Sequence, residues 1–338
     1  MTRPVSIVVP SLDDIELFRI HMPRLLAELD RRGQDDEVLV VDDTGRDALS
    51  GPLGKEFPQV RVVTREENGG FAVALRDGIE AARHQLVFSM NPDVRIRAGF
   101  LDPLIAALDD PEVAVVVPQV LLDGDEGKIE SLTEMELKDG LIEIHQPGLD
   151  EDAKPRTAHE VPVAFAVGGT SLFRREEFLE RGGFDPLFAP FYWEDVDWCW
   201  YAWRAGRRVA YVPTSIVEHH HRGTIGRLVP KELVRAAQEK NRLLFHWKYL
   251  DSPQLLERHT AALYRLIVDA WLEERRDALI WLNLALAQLD EVLAARSGLA
   301  AAKRSFEEIR ACARPEPEAP PSAPVRKTKK KASKRRKR

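Results

Sequence analysis

The densest group of chemically active side chains lies in the second half of the chain. Glu194, Asp195 and Asp197 follow Trp193 at the start of a predicted helix, and His219–His221 follow a predicted strand. A carboxylate in apolar surroundings has a raised pKa and is a better base, and imidazole is a common metal ligand. Acids in a first helical turn also complement the helix dipole, and a histidine run can be polar surface. Both the chemical and the structural interpretation stay open here.

Further acidic residues follow two short apolar runs in the first half. Asp93 comes after Asn91 and a proline, and carboxylate and carbonyl oxygens suit Mg²⁺ or Mn²⁺, which commonly bridge a protein to substrate phosphates. Asp42 and Asp43 end another run, where carboxylates can accept hydrogen bonds from the base and ribose of a nucleotide. The alternative in both places is an ordinary polar turn.

A third motif, Asn68-Gly69-Gly70, begins a predicted helix. Glycine permits close approach to the backbone, and the N-terminus of a helix favours an anionic phosphate. The same residues also form ordinary turns, so the motif by itself is a weak signal.

The elements that must position these residues alternate between strands and helices. Five apolar runs predict buried strands: Val5–Pro10, Glu37–Asp42, Val60–Thr64, Leu86–Met90 and Val113–Val117. Helical patterns lie between them: Leu17–Arg31, Gly70–Arg83 and Phe100–Leu108. This alternation predicts an α/β fold with a mostly parallel sheet flanked by helices. Ligands bind such sheets at the carboxyl ends of the strands, which is where the candidate residues lie.

The second half is less regular. A polar segment from Asp123 to Glu160 predicts an insertion or long loop. Strand character returns at Val161–Val167 and at Val209–Pro213, and a helix is predicted over Glu194–Ala205. From Pro230 to Ala313 the pattern is almost entirely helical and predicts two to four helices.

Composition limits the classes of protein. The 338 residues are 44% apolar, enough for a core, and the two cysteines, Cys199 and Cys312, are too few for a disulfide framework. No apolar stretch approaches the roughly 18 residues of a membrane span. The last fourteen residues carry ten Lys and Arg. Without them 39 basic residues face 55 acidic ones, a net charge of −16, which argues against a nucleic-acid-binding body.

Seven motifs occur in an order that resembles the family 2 glycosyltransferases, which have the GT-A fold (Rossmann-like), and especially their rhamnosyltransferase-like members of polysaccharide and cell-envelope biosynthesis. They are VSIVVPS, VVDD, ENGGFA, NPD, GGTSLFRRE, GGFD with WEDVDW, and VPTSIVEHHH. The resemblance runs from about Pro4 to Thr224, and KNRLLFHWKYL around Asn241 is similar to the family's C-terminal helix. It implies a GT-A domain over residues 1–228, a helical extension over 229–313 and a disordered basic tail over 314–338.

The resemblance also implies a reaction and its residues. The reaction is an inverting, Mg²⁺- or Mn²⁺-dependent transfer from a nucleoside-diphosphate sugar, expected to be a dTDP- or UDP-sugar, to a glycan or lipid-linked acceptor. Asp195 matches the catalytic base, and Asp93 and His219 match the metal ligands. The implied nucleotide-binding positions are Pro10, Ser11, Asp13, Asp42, Asp43, Asn68, Gly70 and Asn91. Those near the donor sugar and acceptor are Gly168, Gly169, Trp193 and Glu194.

The sequence departs from the family pattern at three places. Asn91 replaces the first acid of the Asp-x-Asp metal motif, SLDD replaces the usual Thr-Tyr-Asn, and Arg76 stands where asparagine is common. Asn-Pro-Asp is a familiar variant among rhamnosyltransferase-like members. These departures bear on the identity of the donor and the strength of metal binding more than on the fold.

Two other functional classes are weighed against this interpretation. A nucleotidyltransferase should carry a glycine-rich loop with a basic residue after the first strand, and PSLDDIELF lacks one. A non-catalytic GT-A-like protein that binds a glycan or a partner would not need Asp93, Asp195 and His219 together. We expect a cytoplasmic protein whose basic tail is either a solvated charge run or a peripheral contact with the anionic inner face of the membrane. Binding of nucleic acid is not expected.

Overall fold

A nine-stranded mixed sheet lies at the centre of the protein. The computed structural model describes residues 3–149, 160–220 and 229–314, and the strands and helices that follow belong to these ranges. The strands are β1 (Val5–Ser11), β2 (Glu37–Asp42), β3 (Arg61–Thr64), β4 (Leu86–Met90), β5 (Val94–Ile96), β6 (Val113–Leu122), β7 (Glu134–Lys138), β8 (Leu141–His145), β9 (Val161–Pro162), β10 (Thr170–Arg174) and β11 (Arg208–His219). β7 and β8 form a separate hairpin. Every residue of β1, β2 and β4 is buried, as expected for strands covered on both faces.

Helices connect and cover the strands. They are α1 (Ile15–Arg32), α2 (Ser50–Glu56), α3 (Gly70–Ala81), α4 (Leu101–Ala107), α5 (Arg175–Glu180), α6 (Glu194–Arg204), α7 (Lys231–Tyr249), α8 (Pro253–Leu272), α9 (Arg276–Leu286), α10 (Leu289–Ser297) and α11 (Phe306–Cys312). α3 packs on β1 and β2, and α4 and α6 pack on β11. None of the helices in the described ranges is long and apolar enough to cross a membrane.

The strand order brings distant parts of the sequence to one edge of the sheet. The order is β3-β2-β1-β4-β10-β6-β11-β5, with β9 paired to β11. β1 to β4 are parallel, β6 is parallel to β11, and β10 runs antiparallel between β4 and β6. The amino end of β10 therefore meets the carboxyl end of β4, where Thr170 pairs with Met90. β5 runs back from the same edge, with Val94 opposite His219.

The predicted α/β architecture is confirmed, with a mostly parallel sheet, flanking helices and C-terminal helices. Three details of the prediction need correction. The strand predicted over Val161–Val167 is only the two residues of β9, and the strand next in the chain, β10 (Thr170–Arg174), was not predicted. The segment from Asp123 to Glu160, predicted to be an insertion or long loop, is not a plain loop: it contains the β7–β8 hairpin, whose turn residues Asp139 and Gly140 both have positive φ, a geometry that an Asp-Gly pair favours. The C-terminal region has five helices instead of two to four. The predicted tail beyond Arg314, and His221, lie outside the described residues.

Two stacked histidines join the hairpin to the C-terminal helices. The rings of His246 on α7 and His259 on α8 lie 4.5 Å apart. His246 Nδ1 lies 2.6 Å from the carbonyl oxygen of Arg242, and its Nε2 accepts a 2.6 Å bond from the N–H of Ile142. His259 Nδ1 lies 3.0 Å from the carbonyl oxygen of Gly140. Burial lowers the pKa of both histidines, and for His246 the neighbouring ring lowers it further, so both are neutral.

This pair predicts a loss of stability in acid. Below its ordinary pKa of about 6.5 each histidine binds a proton in the unfolded chain but not in the folded protein. Its contribution to the free energy of unfolding is therefore complete above that pH and is lost as the pH falls. The free energy of unfolding in urea should fall by up to about 1.4 kcal/mol per pH unit for each histidine. His246→Gln should show a smaller difference between pH 7.5 and pH 5.5 than the wild type. The same substitution at the exposed His145 serves as control. If His246→Gln shows the same difference in the free energy of unfolding between the two pH values as the wild type, buried His246 is not its cause.

Candidate active site

Two adjacent glycines connect the segments that carry the candidate catalytic and metal-binding residues. Gly169 accepts a 2.9 Å hydrogen bond from the N–H of Asn91, and a Cβ on Gly169 would lie 2.3 Å from Asn91 Cγ. Gly168 donates a 3.1 Å bond to Asp195 Oδ2, and its added Cβ would lie 3.2 Å from Asp195 Cβ. A side chain at Gly169 would overlap the side chain of Asn91, and one at Gly168 would press tightly against Asp195. The two glycines therefore permit Asn91 and Asp195 to approach the same short stretch of backbone.

Asp195 lies in the first turn of α6, in an environment that favours its protonated form. Burial raises the pKa of Asp195, and the N–H groups of Gly168 and Val196 oppose that rise by bonding to its two oxygens. Burial also raises the pKa of Glu194, and the neighbouring Asp195 charge raises it further. Glu194 Oε2 is buried and has no hydrogen-bond partner among the described residues. Two adjacent carboxylates with raised pKa values are typical of a site that transfers protons.

The backbone that enters α6 is held in an uncommon conformation. Tyr192 and Trp193 have φ values of 68° and 77°, a left-handed region that bulky residues rarely adopt. Asn241 on α7 donates through Nδ2 to the carbonyl oxygens of Phe188, Phe191 and Tyr192, at 2.7, 3.0 and 2.8 Å. The ring of Trp193 packs against Phe245, 5.2 Å away. α7 therefore fixes the loop that positions Glu194 and Asp195.

The third acid of the helix start, Asp197, has a structural role. It is fully buried and contacts Arg181, and it accepts hydrogen bonds of 2.6 Å from Lys248 Nζ and 2.7 Å from the hydroxyl of Tyr249. Burial alone would raise its pKa, but Arg181 and Lys248 hold the pKa of Asp197 below its ordinary value. Asp197 is therefore a poor base and links α6 to α7.

A buried histidine lies between two carboxylates at the end of β11. His219 Nε2 is 3.3 Å from Asp93 Oδ1, and His219 Nδ1 is 2.8 Å from Glu130 Oε2. Burial alone would lower the pKa of His219, but the two carboxylates reverse that effect and raise it to about 10. Sequence reasoning predicted Asp93 and His219, and the structure brings them together. It missed Glu130, because that residue lies in the polar segment that was expected to be a loop.

These residues form part of a site that fits a divalent cation. Asp93 Oδ1 is buried without a well-aligned hydrogen bond from any described residue, and the carboxylates that stabilise a proton on His219 also favour a cation. Glu130 bonds to the second ring nitrogen of His219, as carboxylates commonly do behind metal-binding histidines. Among residues 3–149, 160–220 and 229–314, no three His, Cys, Asp or Glu side chains form a complete metal cluster. Asp93 and His219 therefore fit Mg²⁺ or Mn²⁺ as two protein ligands of an incomplete ligand set.

Farther along the same edge of the sheet, Asp43 follows β2 and fixes the motif Asn68-Gly69-Gly70. Its two oxygens accept bonds of 2.9 and 2.8 Å from the N–H groups of Gly69 and Gly70, and Arg65 Nη1 lies 3.1 Å from Oδ1. Asn68 is exposed beside it, with Nδ2 bonded to the carbonyl oxygen of Asp43. The sequence motifs at residues 42–43 and 68–70 thus form one structure at the start of α3.

The remaining predicted nucleotide-binding residues differ in exposure. Asp42 is fully buried, and its oxygens accept bonds of 3.0 and 2.7 Å from the N–H groups of Thr44 and Leu49, so this placement favours a structural role. Pro10 and Ser11 are buried at the end of β1. Asp13 is exposed and lies 2.5 Å from Arg46. Contact of these residues with a nucleotide stays a prediction.

Known proteins are similar to this chain over much of its length. A Pre-mycofactocin glycosyltransferase of Mycobacterium tuberculosis (strain ATCC 25618 / H37Rv) is 29% identical over 223 residues, which cover 65% of this chain and 43% of the relative. An N-acetylglucosaminyl-diphospho-decaprenol L-rhamnosyltransferase of the same strain is 27% identical over 247 residues, which cover 67% of this chain and 79% of the relative. The chain thus spans less than half the length of the first relative.

Two solved structures share the fold. GalNAc-T7 with UDP, GalNAc and Mn²⁺ matches with a TM-score of 0.53 and 16% identity, over 74% of this chain and 48% of that one. The mannosyltransferase PcManGT from Pyrobaculum calidifontis, in complex with GDP-Man and Mn²⁺, matches with a TM-score of 0.50 and 20% identity, over 89% and 81%. The family model described as Glycosyl transferase family 2 matches residues 6–181, just over half of the 338 residues. The chain therefore has the GT-A fold and belongs to glycosyl transferase family 2.

Proposed function

We propose that the protein is an inverting glycosyltransferase that moves a sugar from a nucleoside diphosphate to a hydroxyl group of an acceptor. The observation that carries this proposal is the position of Asp195. Its carboxylate has a raised pKa and bonds to Gly168, and the adjacent Gly169 bonds to Asn91, two residues before Asp93. A base and a phosphate-binding region are thus neighbours at one edge of the sheet.

The proposed reaction is a single displacement. The acceptor hydroxyl oxygen forms a bond to the anomeric carbon of the donor sugar, the bond from that carbon to the diphosphate oxygen breaks, and Asp195 takes the hydroxyl proton. Attack from the face opposite the leaving group inverts the anomeric configuration. No covalent intermediate with the protein is needed. Cys199 is buried, and burial raises the pKa of its thiol, so it is unsuited to act as a nucleophile.

The nucleoside diphosphate is proposed to lie along the edge from Asp43 to Asp93. The backbone at Gly70 begins α3, whose N-terminus favours negative charge. Asp93 and His219 would hold Mg²⁺ or Mn²⁺, which would neutralise the charge that develops on the departing diphosphate. We expect a dTDP- or UDP-sugar as donor. Both structural neighbours were solved with Mn²⁺ and a nucleotide or nucleotide sugar, which supports this class of ligand.

A lipid-linked or glycan acceptor is the second part of the proposal. It is supported by the relative whose name specifies a diphospho-decaprenol acceptor and an L-rhamnosyl group, which matches this chain over 79% of that relative's length. The test is release of nucleoside diphosphate by the purified protein, with a panel of UDP-, dTDP- and GDP-sugars and a polyprenyl-diphosphate sugar as acceptor. Release from none of the donors would reject the proposed activity.

Asp195→Asn should nearly abolish transfer and leave nucleotide affinity largely intact. The amide keeps the size of the side chain but cannot take the acceptor proton, and loss of a general base costs about 10²- to 10⁴-fold in turnover. Turnover and the Kd of the nucleoside diphosphate are measured for Asp195→Asn, Glu194→Gln and, as control, Asp30→Asn on the exposed surface of α1. If Asp195→Asn keeps more than about a tenth of wild-type turnover, Asp195 is not the base.

Activity should require a divalent cation. Asp93→Ala and His219→Ala should each weaken binding of Mn²⁺ with nucleoside diphosphate by about tenfold or more, since changes even behind metal ligands have effects of that size. Titration calorimetry measures this binding directly, with His145→Ala, an exposed histidine on β8, as control. Full turnover in excess EDTA would refute the metal requirement. A loss in Asp93→Ala alone would leave His219 as a structural residue.

Gly169→Ala should weaken nucleotide binding more than the addition of one methyl group would suggest. The added Cβ would lie 2.3 Å from Asn91 Cγ, so the Asn91 side chain, two residues before Asp93, has to move. Such overpacking typically costs about 1–3 kcal/mol of stability. Gly54→Ala is the matched control, because no atom lies within 4 Å of its added Cβ and the helix favours alanine. Equal melting temperatures and equal nucleotide affinities of the two variants would show that the close approach is unimportant.

A further inference from the structure

Phe71 places a half-buried aromatic ring beside the proposed base. It is the second residue of α3, directly after Gly70, and packs at the margin of the hydrophobic core. A Cβ on Gly168 would lie 3.5 Å from Phe71 Cε1 and 3.5 Å from Asp195 Oδ2. The ring edge and the carboxylate thus approach the same point of the backbone. Neither the motif Asn68-Gly69-Gly70 nor the metal site accounts for an aromatic side chain here.

The exposed part of Phe71 lies where the buried face of α3 extends past the core. Ala74, Leu75, Gly78 and Ile79 are the buried residues of that helix, and Phe71 precedes the first two by three and four positions, so it shares their face. It is only half-buried because it stands at the start of the helix, at the carboxyl edge of the sheet. Ligands bind sheets of this kind at that edge.

A buried aromatic cluster holds the ring of Phe71 in place. Phe71 lies at 26° to the ring of Phe184, with the two centroids 6.2 Å apart. Phe184 packs edge-to-face against Phe178 of α5 and Trp198 of α6, at centroid distances of 5.2 and 6.2 Å. These three supporting rings are buried. Because interlocked core side chains keep single rotamers, Phe71 presents its uncovered surface from a fixed position.

The two neighbours of Phe71 mark the two ends of the proposed reaction. Gly70 begins α3, where the diphosphate is proposed to lie, and Asp195 is the proposed base for the acceptor hydroxyl. In a single displacement the leaving oxygen, the anomeric carbon and the attacking oxygen are aligned. The sugar being transferred therefore occupies the space between the diphosphate and the base. A ring that follows Gly70 and reaches the backbone beside Asp195 borders that space.

We propose that Phe71 forms a subsite for the donor's sugar ring, with its aromatic surface packed against the C–H groups of the pyranose. This inference rests on the proposed transfer reaction and adds a residue that binds the sugar itself. A pyranose carries its hydroxyl groups around the rim and C–H groups on its faces, and burial of those C–H groups against an aromatic ring is favourable. A rigid aromatic surface combined with a few polar groups is typical of small-molecule sites.

Binding of nucleotide sugars, measured separately from transfer, tests the subsite. Phe71→Leu keeps an apolar side chain but removes the flat ring, so it should weaken binding of the nucleotide sugar by about fivefold or more, the loss of one aromatic contact. Binding of the free nucleoside diphosphate should be nearly unchanged, because it lacks the sugar. The probes are UDP-glucose with UDP and dTDP-rhamnose with dTDP, each titrated by calorimetry in the presence of Mn²⁺.

Two further variants separate contact with the sugar from packing. Phe71→Tyr keeps the ring and should bind the nucleotide sugar as the wild type does. Phe57→Leu is the matched control, because Phe57 is also half-buried but lies before the amino end of β3, away from the site. It should change the affinity for neither member of a pair. Thermal melting followed by circular dichroism checks that each variant is folded.

Three outcomes would overturn the subsite. Phe71→Leu could weaken both members of a pair equally, which is the result of a packing role, or it could weaken neither. A raised acceptor KM with unchanged affinity for the nucleotide sugar would instead assign the ring to the acceptor. In all three cases the transfer reaction stands if the wild type still releases nucleoside diphosphate. A wild type that binds none of the four probes would reject the proposed function itself.

Discussion

The buried charge of Asp197 constrains the rest of the site. A carboxylate removed from water costs several kcal/mol unless cations and hydrogen bonds replace the solvent. Arg181, just after α5, and Lys248 with Tyr249, at the end of α7, supply that replacement from two sides. α6 can therefore keep Asp197 ionised only where these two segments meet. That requirement fixes the helix whose first turn carries the proposed base.

The same contact makes the C-terminal helices part of the site. Lys248 also bonds to Asp185, and Lys240 and Asn241 bond to backbone carbonyls between residues 188 and 192. These bonds stabilise the left-handed conformations at the start of α6, which local preference alone would not maintain. Near residue 228 the sequence changes from alternating strand and helix patterns to an almost entirely helical pattern. The site depends on side chains from both sides of it.

Sequence patterns predicted those positions of site residues that depend on the order of neighbouring residues and on the topology of the sheet. Asp93 follows β4 and His219 ends β11, and the carboxyl ends of these strands lie at the same edge of the sheet. The resemblance to the family also implied that both residues bind the metal, so their proximity was predictable. The contact of His219 with Glu130 was not predictable, because Glu130 lies in a segment without periodicity and reaches the site only through tertiary contacts. Asn241 did carry a signal, as a polar residue within an apolar helical pattern. Its three carbonyl partners could not be inferred, since they lie in an irregular loop.

Asp195 and Asp197 show why residue type alone does not assign a role. Both lie in the first turn of α6, where the helix dipole stabilises negative charge on either. Two cations lower the pKa of Asp197 and make it a weak base. Asp195 has no such cation, and burial beside Glu194 raises its pKa, so it binds a proton more strongly. Because the cations that neutralise Asp197 also hold the helix in place, Asp197 fixes the geometry and leaves Asp195 available for its proposed role as the base.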